Sequence, residues 1–315
     1  MVGMRGWWQD LTDLVLPGEC GGCGAPRTVL CARCRAVLGG AAVRRVRPVP
    51  EPPGLPVVHA AAAYADEVRA TLLAHKERGA LALAGPLGAA LAQAVRAGLR
   101  EGSSRSGAGA VVRGGGAPVL LVPVPSGRRA VRARGHDPAR RIALAAAADL
   151  RRAGMPTRVL GVLRHRRTVA DQSGLNSRQR RDNLAGALTV APAGARLLCA
   201  GPVVLVDDVM TTGASLSEAA RALRAVGDGP GVRHGAARHG AVAGPISNAA
   251  WTEAVYGGES WESREEQNVG SRRERTGRRP GRQRMAGADG AGGVVDVVCA
   301  AVVAATPDSF QINRN

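Results

Sequence analysis

The stretch VVLVDDVMTTGAS, residues 203–215, constrains the fold of this chain more than any other part of the sequence. Its first four residues are apolar and follow Pro202, so they predict a strand over 203–206 that is buried on both faces, as in a parallel sheet. Gly213 then marks a sharp turn, and apolar residues recur at helical spacing over 216–223. The stretch therefore predicts a strand, a short turn and a helix, which is a repeating unit of α/β folds.

The helix after this turn is predicted to begin with a capping box. Ser215 and Glu218 have the S-x-x-E spacing of that motif, and Gly227 marks the end of the helix. The turn over 211–213 and the helix N-terminus together present free backbone N–H groups and a partial positive charge. This arrangement suits a phosphate group.

Two carboxylates, Asp207 and Asp208, directly precede the phosphate-binding turn. They would repel a bare phosphate, but they fit a ligand that carries hydroxyl groups or a cation beside its phosphate, as a ribose 5-phosphate does. An acidic strand-to-helix turn without a ligand is the alternative. Neither G-x-G-x-x-G nor G-K-[ST] occurs at this turn, which argues against Rossmann and P-loop nucleotide sites.

Six cysteines fall into a group of four and two single residues. The group consists of two C-x-x-C pairs separated by seven residues: Cys20 with Cys23, and Cys31 with Cys34. Two such pairs can close a tetrahedral four-thiolate site, so we expect structural zinc in a small N-terminal module. Disulfides and redox chemistry are alternatives, but neither a secretion signal nor a surrounding βαβ pattern supports them. Cys199 and Cys299 lie beside apolar strands and are predicted to be small buried residues.

The charge and the location of the protein are less specific signals. Nearly all of the net charge of +18 lies before residue 227, and Lys76 is the only lysine. This bias toward arginine makes the basic charge weaker evidence for nucleic-acid binding than usual.

No run reaches the roughly 20 apolar residues of a membrane span, and Asp10 and Asp13 interrupt the start of the chain. We therefore expect a cytoplasmic protein with no membrane span.

Other segments give a coarse order of elements. The proline-rich stretch 47–56 is predicted to be a linker that marks the first domain boundary. The remaining predicted elements are a strand over 57–64, a helix from Asp66 that ends at Gly79, a helix over 80–99, a strand over 119–122, a loop, and a helix over 138–153 with Pro138 in its first turn.

Five motifs in chain order resemble the ComF family of type I phosphoribosyltransferase-like proteins. They are the four-cysteine module, HKERG (75–79), VPVP (122–125), QSGLNSRQRRDNLAGAL (172–188) and the 203–215 stretch. The resemblance implies an α/β fold with a mostly parallel central sheet of the type I phosphoribosyltransferase type and a small N-terminal zinc-ribbon module. It implies binding of phosphoribosyl pyrophosphate (PRPP) with Mg²⁺ and transfer of the ribosyl 5-phosphate to a nitrogen acceptor, in a family associated with competence and DNA uptake.

The resemblance also implies roles for individual residues. Asp207 and Asp208 would hold the ribose hydroxyls, and Arg128 and Arg134 would neutralise the diphosphate as the remaining catalytic residues. The residues implied to bind PRPP are Lys76, Pro125, Ser126, Val209, Met210, Thr211, Thr212, Gly213, Ala214 and Ser215. The residues implied to cover the acceptor are Gln172, Arg181 and Asn183. The chain departs from the family pattern R-G-F-N-Q-A over 134–139, where it reads R-G-H-D-P-A.

The predicted domain organisation is a zinc-ribbon-like module over 1–46, a phosphoribosyltransferase-like domain over 57–227, an irregular segment over 228–293, and a final strand and tail over 294–315. The final strand is implied by the resemblance and covers 294–307. The segment before it interrupts the family pattern, so we interpret it as either a disordered insertion or a frame-shifted sequence, and we favour the latter.

Two other hypotheses for the function stay open. The chain could be a non-catalytic PRPP-sensing or DNA-handling adaptor, with single-stranded DNA or the DNA-uptake machinery as its partner. The basic charge before residue 227, the zinc-ribbon module and the family's link to DNA uptake favour this hypothesis. Against it, the arginine-rich stretches 128–141 and 164–181 contain no aromatic residue on which bases could stack. The other hypothesis is a degenerate protein whose interrupted C-terminal half prevents folding.

Overall fold

A computed structural model describes residues 18–105, 117–167, 177–226, 295 and 297–310 of the chain. In chain order the elements are helix α1 (Ala32–Gly39), strands β1 (Arg44–Val46) and β2 (Val58–Ala63), helices α2 (Asp66–Glu77) and α3 (Ala84–Arg105), strand β3 (Val119–Pro123), helices α4 (Arg128–Arg134) and α5 (Pro138–Arg152), strands β4 (Thr157–Val159) and β5 (Leu163–His165), helix α6 (Ser177–Leu184), strand β6 (Leu188–Val190), helix α7 (Gly194–Leu197), strand β7 (Val203–Met210), helix α8 (Ala214–Arg224) and strand β8 (Val297–Ala305). Short 3₁₀ turns lie at Leu81–Leu83, Leu198–Ala200 and Pro307–Phe310.

Six strands form one sheet in the order β1-β2-β8-β7-β3-β4. Strand β1 is antiparallel to β2, whereas every other neighbouring pair is parallel. Strands β5 and β6 form a separate antiparallel pair. The chain is therefore a mixed α/β protein with a mostly parallel central sheet, as predicted.

The sheet is covered on both faces, which explains why its central strands are apolar throughout. On one face, Leu91 of α3 and Ile142 of α5 pack with Val204 and Val206 of β7. On the other face, Leu216 and the rest of the apolar side of α8 pack with the alternate residues of β7 and with the β5–β6 pair. Strand β7 thus lies at the centre of the protein.

Strand β7 is longer than the predicted strand over 203–206. It continues through both aspartates to Met210, because β8 pairs with it along this whole length, with Asp207 opposite Val302 and Met210 opposite Ala305. The segment after β3 was predicted to be a loop, but it contains helix α4. The predicted strand in the C-terminal segment is confirmed as β8, which lies between β2 and β7.

The predicted capping box at the start of α8 is wrong. The helix begins at Ala214, and its N-cap is Gly213 with φ of 73° and no side-chain cap. Glu218 accepts a hydrogen bond from the Leu188 backbone N–H at 2.9 Å and pairs with Arg221, so its carboxylate joins β6 to α8 instead. The helix ends at Arg224, and the predicted stop at Gly227 lies outside the described residues.

The N-terminal cysteine segment packs against the rest of the protein. Cys20 and Cys34 belong to the same hydrophobic cluster as Leu72 of α2 and Leu91 of α3. The proline-rich stretch 47–56 lies on α8, where the Ser217 hydroxyl donates to the Pro53 carbonyl oxygen at 2.6 Å and Arg224 donates to the Gly54 carbonyl oxygen at 2.9 Å. The domain boundaries given above stay predictions.

Two expectations concern other parts of the chain. The irregular segment predicted over 228–293 lies wholly outside the described residues. Among the helices that the structure describes, none is long and apolar enough to cross a membrane.

Candidate functional site

The carboxyl end of β7 carries the predicted acid pair. Asp207 is half-buried, Asp208 is buried, and successive side chains of a strand point to opposite faces of the sheet. In an open parallel sheet, ligands bind outside the carboxyl ends of the strands. The acid pair therefore lies at the edge where an α/β protein places its ligand.

Asp208 is held by a cation from another element. The Lys76 Nζ atom on α2 donates to Asp208 Oδ2 at 2.8 Å, and the Val209 backbone N–H donates to Asp208 Oδ1 at 2.8 Å. The Asp208 backbone N–H in turn donates to Asp207 Oδ1 at 2.8 Å. Both carboxylates are thus oriented by hydrogen bonds within the protein.

The two carboxylates and the lysine perturb one another. Burial and the neighbouring Asp208 charge raise the pKa of Asp207 well above its usual range, and Lys76 opposes this effect. Burial acts to lower the pKa of Lys76, but the Asp208 carboxylate outweighs it and raises the pKa. Lys76 is therefore a cation at neutral pH, and it neutralises part of the acid pair.

An open hollow lies beside Asp207 at the start of α8. It is lined by Asp207, Val209, Met210, Thr211, Thr212, Gly213, Ala214, Ser215 and Leu216. The structure thus brings together all of the predicted loop residues and one of the two acids. Because α8 has 11 residues, its first backbone N–H groups add a partial positive charge to this hollow.

Gly213 is required at the tip of the turn. Its φ of 73° lies in the left-handed region, and a Cβ atom there would lie 3.1 Å from Leu55 Cδ2. Only glycine adopts this conformation without strain while it packs so closely against the 47–56 stretch. Gly213 therefore allows the chain to turn so that the first backbone N–H groups of α8 face the hollow.

The turn after β3 lies next to the acid pair, because Pro123 pairs with Val206 in the neighbouring strand. Its Pro125 carbonyl oxygen lies 3.1 Å from His165 Nε2, and its Ser126 backbone N–H donates to Asp137 Oδ2 at 3.2 Å. The resemblance implies a diphosphate at this turn, yet the Ser126 donor already contacts a carboxylate.

The two predicted catalytic arginines occupy different environments. Arg128 is exposed at the start of α4. Arg134 at the end of α4 is paired with Glu77, with 3.3 Å between its Nε and Glu77 Oε2. Its Nη1 is buried and has no hydrogen-bond partner within the described part of the chain. Arg134 thus lies at the site with one nitrogen engaged and another unpaired.

Two histidines beside Lys76 were not predicted. His75 is fully buried, and burial together with the nearby His136 and Arg141 lowers its pKa to about 4. The His136 ring meets the His75 ring edge-on at 5.6 Å, and its Nε2 lies 3.2 Å from the His75 carbonyl oxygen. These contacts fix the end of α2 against the turn that precedes α5. The sequence signals for them are that His75 begins the HKERG motif and that His136 lies within the departure from the family pattern.

The four cysteines of the N-terminal pairs form a cluster. Their sulfur atoms all lie within 4.8 Å of one another, and Cys23 Sγ lies 3.6 Å from Cys31 Sγ. A tetrahedral zinc site with Zn–S bonds of about 2.3 Å requires sulfur separations of about 3.8 Å, so the cluster fits such an ion. Cys20, Cys23, Cys31 and Cys34 are free thiols that could together bind a metal such as zinc.

Local structure acts on the pKa values of two of these thiols in opposite directions. Burial acts to raise the pKa of Cys20, but backbone N–H groups, with Cys31 first, outweigh it and lower the pKa to about 6. Burial raises the pKa of the Cys34 thiol. A Cβ atom on Gly22 would lie 2.7 Å from Cys34 Sγ. The turn between Cys20 and Cys23 therefore needs a glycine at this position, because its backbone passes close to that sulfur atom.

The two single cysteines differ. Cys299 is buried on β8, as predicted. Cys199 is exposed, so that prediction is wrong. Cys199 follows Leu198 in a surface 3₁₀ turn, where Leu198 takes the buried position.

Comparison with known proteins does not assign a family: no family model and no curated protein matches the chain. Of the residues implied to cover the acceptor, Gln172 and the side chain of Arg181 lie outside what the structure describes. Asn183 is described, and its carbonyl oxygen accepts a hydrogen bond from Arg167 at 2.8 Å. The case for a function therefore depends on the hollow and its acid pair.

Proposed function

We propose that this chain is a phosphoribosyltransferase-like protein of the ComF type that binds PRPP with Mg²⁺ at the carboxyl end of β7. One observation carries the proposal: Asp207 lies in the same hollow as the turn over 211–213 and the N-terminus of α8. A carboxylate beside an anion-binding turn suits a ligand with both hydroxyl and phosphate groups.

Each part of the hollow has a role in this proposal. The backbone N–H groups of the turn and the hydroxyls of Thr211, Thr212 and Ser215 donate to the 5-phosphate. Asp207 accepts hydrogen bonds from the ribose hydroxyls. Asp208 points to the other face, where Lys76 balances its charge, so it orients the pair and tunes the field at Asp207.

The donor atoms also fit Mg²⁺, which prefers carboxylate oxygens and retains several waters. Of the two acids, Asp207 faces the hollow and is the one that would hold the ion together with the ligand. When bound, Mg²⁺ would neutralise charge on the diphosphate.

For a transferase, the reaction follows from the ligand. The bond between C1 of the ribose and the diphosphate oxygen breaks, a bond from C1 to the acceptor nitrogen forms, pyrophosphate leaves, and the nitrogen loses a proton. Arg128 and Arg134 stabilise the charge that develops on pyrophosphate. The nearby carboxylates stabilise the positive charge that develops on the ribose.

The cysteine cluster is proposed to hold structural zinc. A closed site of four thiolates leaves no open position for catalysis. Its contacts with α2, the helix that carries Lys76, link the metal to the position of that lysine. Reduced thiols in this arrangement agree with the proposed cytoplasmic location.

Calorimetric titration of PRPP and Mg²⁺ into the zinc-loaded protein tests the proposal. Asp207→Asn/Asp208→Asn should abolish saturable binding. The matched control is Asp149→Asn, which removes a carboxylate from the end of α5. A helix between two parallel strands runs opposite to them, so this end of α5 lies at the other edge of the sheet. Equal binding by all three proteins would contradict the proposal.

A DNA-handling adaptor is the second candidate function, and one contact favours it. His165 of the β5–β6 pair lies 3.1 Å from the Pro125 carbonyl oxygen, which brings two arginine-rich segments together. The exposed arginines of these segments include Arg128, Arg129, Arg132, Arg164 and Arg166. Single-stranded DNA should then bind with an affinity that falls steeply as salt is raised, because phosphate contacts release counterions. A shallow salt dependence would contradict this function.

A further inference from the structure

The turn after β3 is occupied by a carboxylate of the chain itself. Asp137 Oδ2 accepts a hydrogen bond from the Ser126 backbone N–H at 3.2 Å, and Asp137 Oδ1 accepts one from the Arg140 backbone N–H at 3.2 Å. Asp137 is the N-cap of α5, with Pro138 directly after it. One carboxylate therefore joins the turn to the start of this helix, with one oxygen on each.

A second carboxylate contacts the nearby cation. Glu77 at the end of α2 pairs with Arg134, which is the arginine implied to neutralise a diphosphate. Thus the Ser126 backbone N–H and the Arg134 guanidinium, which would contact an anionic ligand, already contact acidic side chains of the protein. A diphosphate that enters this turn has to compete with Asp137 for the Ser126 N–H and also experiences repulsion from its charge.

We propose that Asp137 determines the ligand specificity of the site by opposing the diphosphate of PRPP while it leaves binding of the 5-phosphate unaffected. The inference rests on the proposed function. In that function the 5-phosphate would lie in the hollow after β7, which Asp137 does not line, whereas the resemblance implies that the diphosphate would lie at the turn after β3, where Asp137 accepts a hydrogen bond from Ser126. Asp137 acts on only one of them.

A purely structural role for Asp137 makes the opposite prediction. If its carboxylate only organised the turn and capped α5, its removal would disorder the turn and weaken ligand binding. Asp137→Asn separates the two roles, because asparagine caps a helix as well as aspartate does. The substitution removes the charge and replaces one of the two acceptor oxygens by an NH₂ donor. Only one of the two backbone N–H groups, that of Ser126 or that of Arg140, then keeps an acceptor on this side chain.

The experiment titrates two probes, PRPP with Mg²⁺ and ribose 5-phosphate, into the wild-type chain, Asp137→Asn and the distant control Asp149→Asn. Asp137→Asn should bind PRPP about fivefold to tenfold more tightly, as expected for one freed donor and one removed like charge. Its affinity for ribose 5-phosphate should stay within about twofold of the wild type, because that probe carries no diphosphate. Asp137→Ser provides a second uncharged cap if the asparagine variant does not fold.

The outcomes separate this inference from the function on which it rests. Tighter binding of PRPP alone supports the inference. Unchanged or weaker PRPP binding by a folded variant, or equal tightening of both probes, overturns it while the proposed function stands. If neither probe binds the folded wild-type chain, the proposed function fails and the inference fails with it.

Discussion

Replacing Lys76 by methionine should destabilise the protein, because Asp208 would then lose its counter-charge while Asp207 lies next to it in the chain. The ammonium group and the carboxylate are 2.8 Å apart, and the lysine and aspartate side chains are 34% and 9% exposed. Methionine retains most of the apolar length of lysine, so the substitution removes mainly the charge. The loss of stability then reports on the ion pair.

The magnitude lies between two measured limits. Exposed ion pairs contribute about 0.2–1 kcal/mol, whereas breaking a buried pair by removing one partner costs about 3–5 kcal/mol. Because this aspartate is buried and this lysine is partly exposed, we expect Lys76→Met to cost about 2 kcal/mol. For a domain of about 200 residues this lowers the unfolding midpoint by about 4–8 °C.

The pH dependence has a defined sign. The folded-state pKa of Lys76 is raised, so its stabilisation is complete at neutral pH and is lost only as the pH rises through that pKa. The pKa of Asp207 is also raised, so its ionised form opposes folding near neutral pH, and stability is regained as the pH falls. The cost of Lys76→Met should therefore shrink at lower pH, where Asp207 binds a proton.

The assay is a double-mutant cycle of Lys76→Met and Asp208→Asn, followed by urea unfolding. We expect a coupling free energy of about 2 kcal/mol at neutral pH. Arg152→Met is the control, because the Arg152 side chain is 75% exposed and its removal should cost less than about 0.5 kcal/mol. A coupling below about 0.5 kcal/mol for Lys76 and Asp208 would refute the role given to this pair.

Three further predictions concern other parts of the fold. Gly213→Ala should lower the free energy of unfolding by about 1–2 kcal/mol, because the backbone at this position is left-handed. The control Gly85→Ala, on the open side of α3, should leave stability unchanged or raise it. Equal shifts of the unfolding midpoint in the two variants would contradict this prediction. Metal analysis should find about one zinc per chain, and a chelator should lower the unfolding midpoint because Cys20 and Cys34 belong to the core; an unchanged midpoint after metal loss would argue against the site. Burial lowers the pKa of His75 to about 4, so the contribution of the neutral histidine to stability is present above about pH 6.5 and is lost as the pH falls toward 4. Between pH 7 and pH 5, His75→Leu should therefore lose less stability than the wild type. Equal losses by the two proteins would disprove this.

The parts of the fold that depend on local patterns could be predicted from the sequence. The spacing of the four cysteines predicted their cluster, because two C-x-x-C turns bring thiols together almost regardless of the remaining chain. The parallel sheet followed from apolar runs alternating with helical periodicity. The turn over 211–213 and its glycine were also identified from local residue types.

The remaining features depend on contacts between distant parts of the chain. Strand β7 continues through Asp207 because β8, which begins at Val297, pairs with it, and no local signal reports such a partner. Lys76 and Asp208 are 132 positions apart, so sequence pattern alone could not predict their contact. The predicted capping box failed for the same reason, since Glu218 is drawn to the Leu188 N–H on another element.

The location of the ligand is the central claim, and an NMR titration of ¹⁵N-threonine-labelled protein tests it most directly. Thr211 and Thr212 line the hollow, whereas Thr71 on α2 and Thr157 on β4 are buried elsewhere and serve as internal controls. On addition of PRPP with Mg²⁺, the amide signals of Thr211 and Thr212 should shift in a saturable manner while the two controls stay nearly fixed. Saturable shifts at the controls with none at Thr211 and Thr212 would contradict the account, because the ligand would then bind outside the turn after β7.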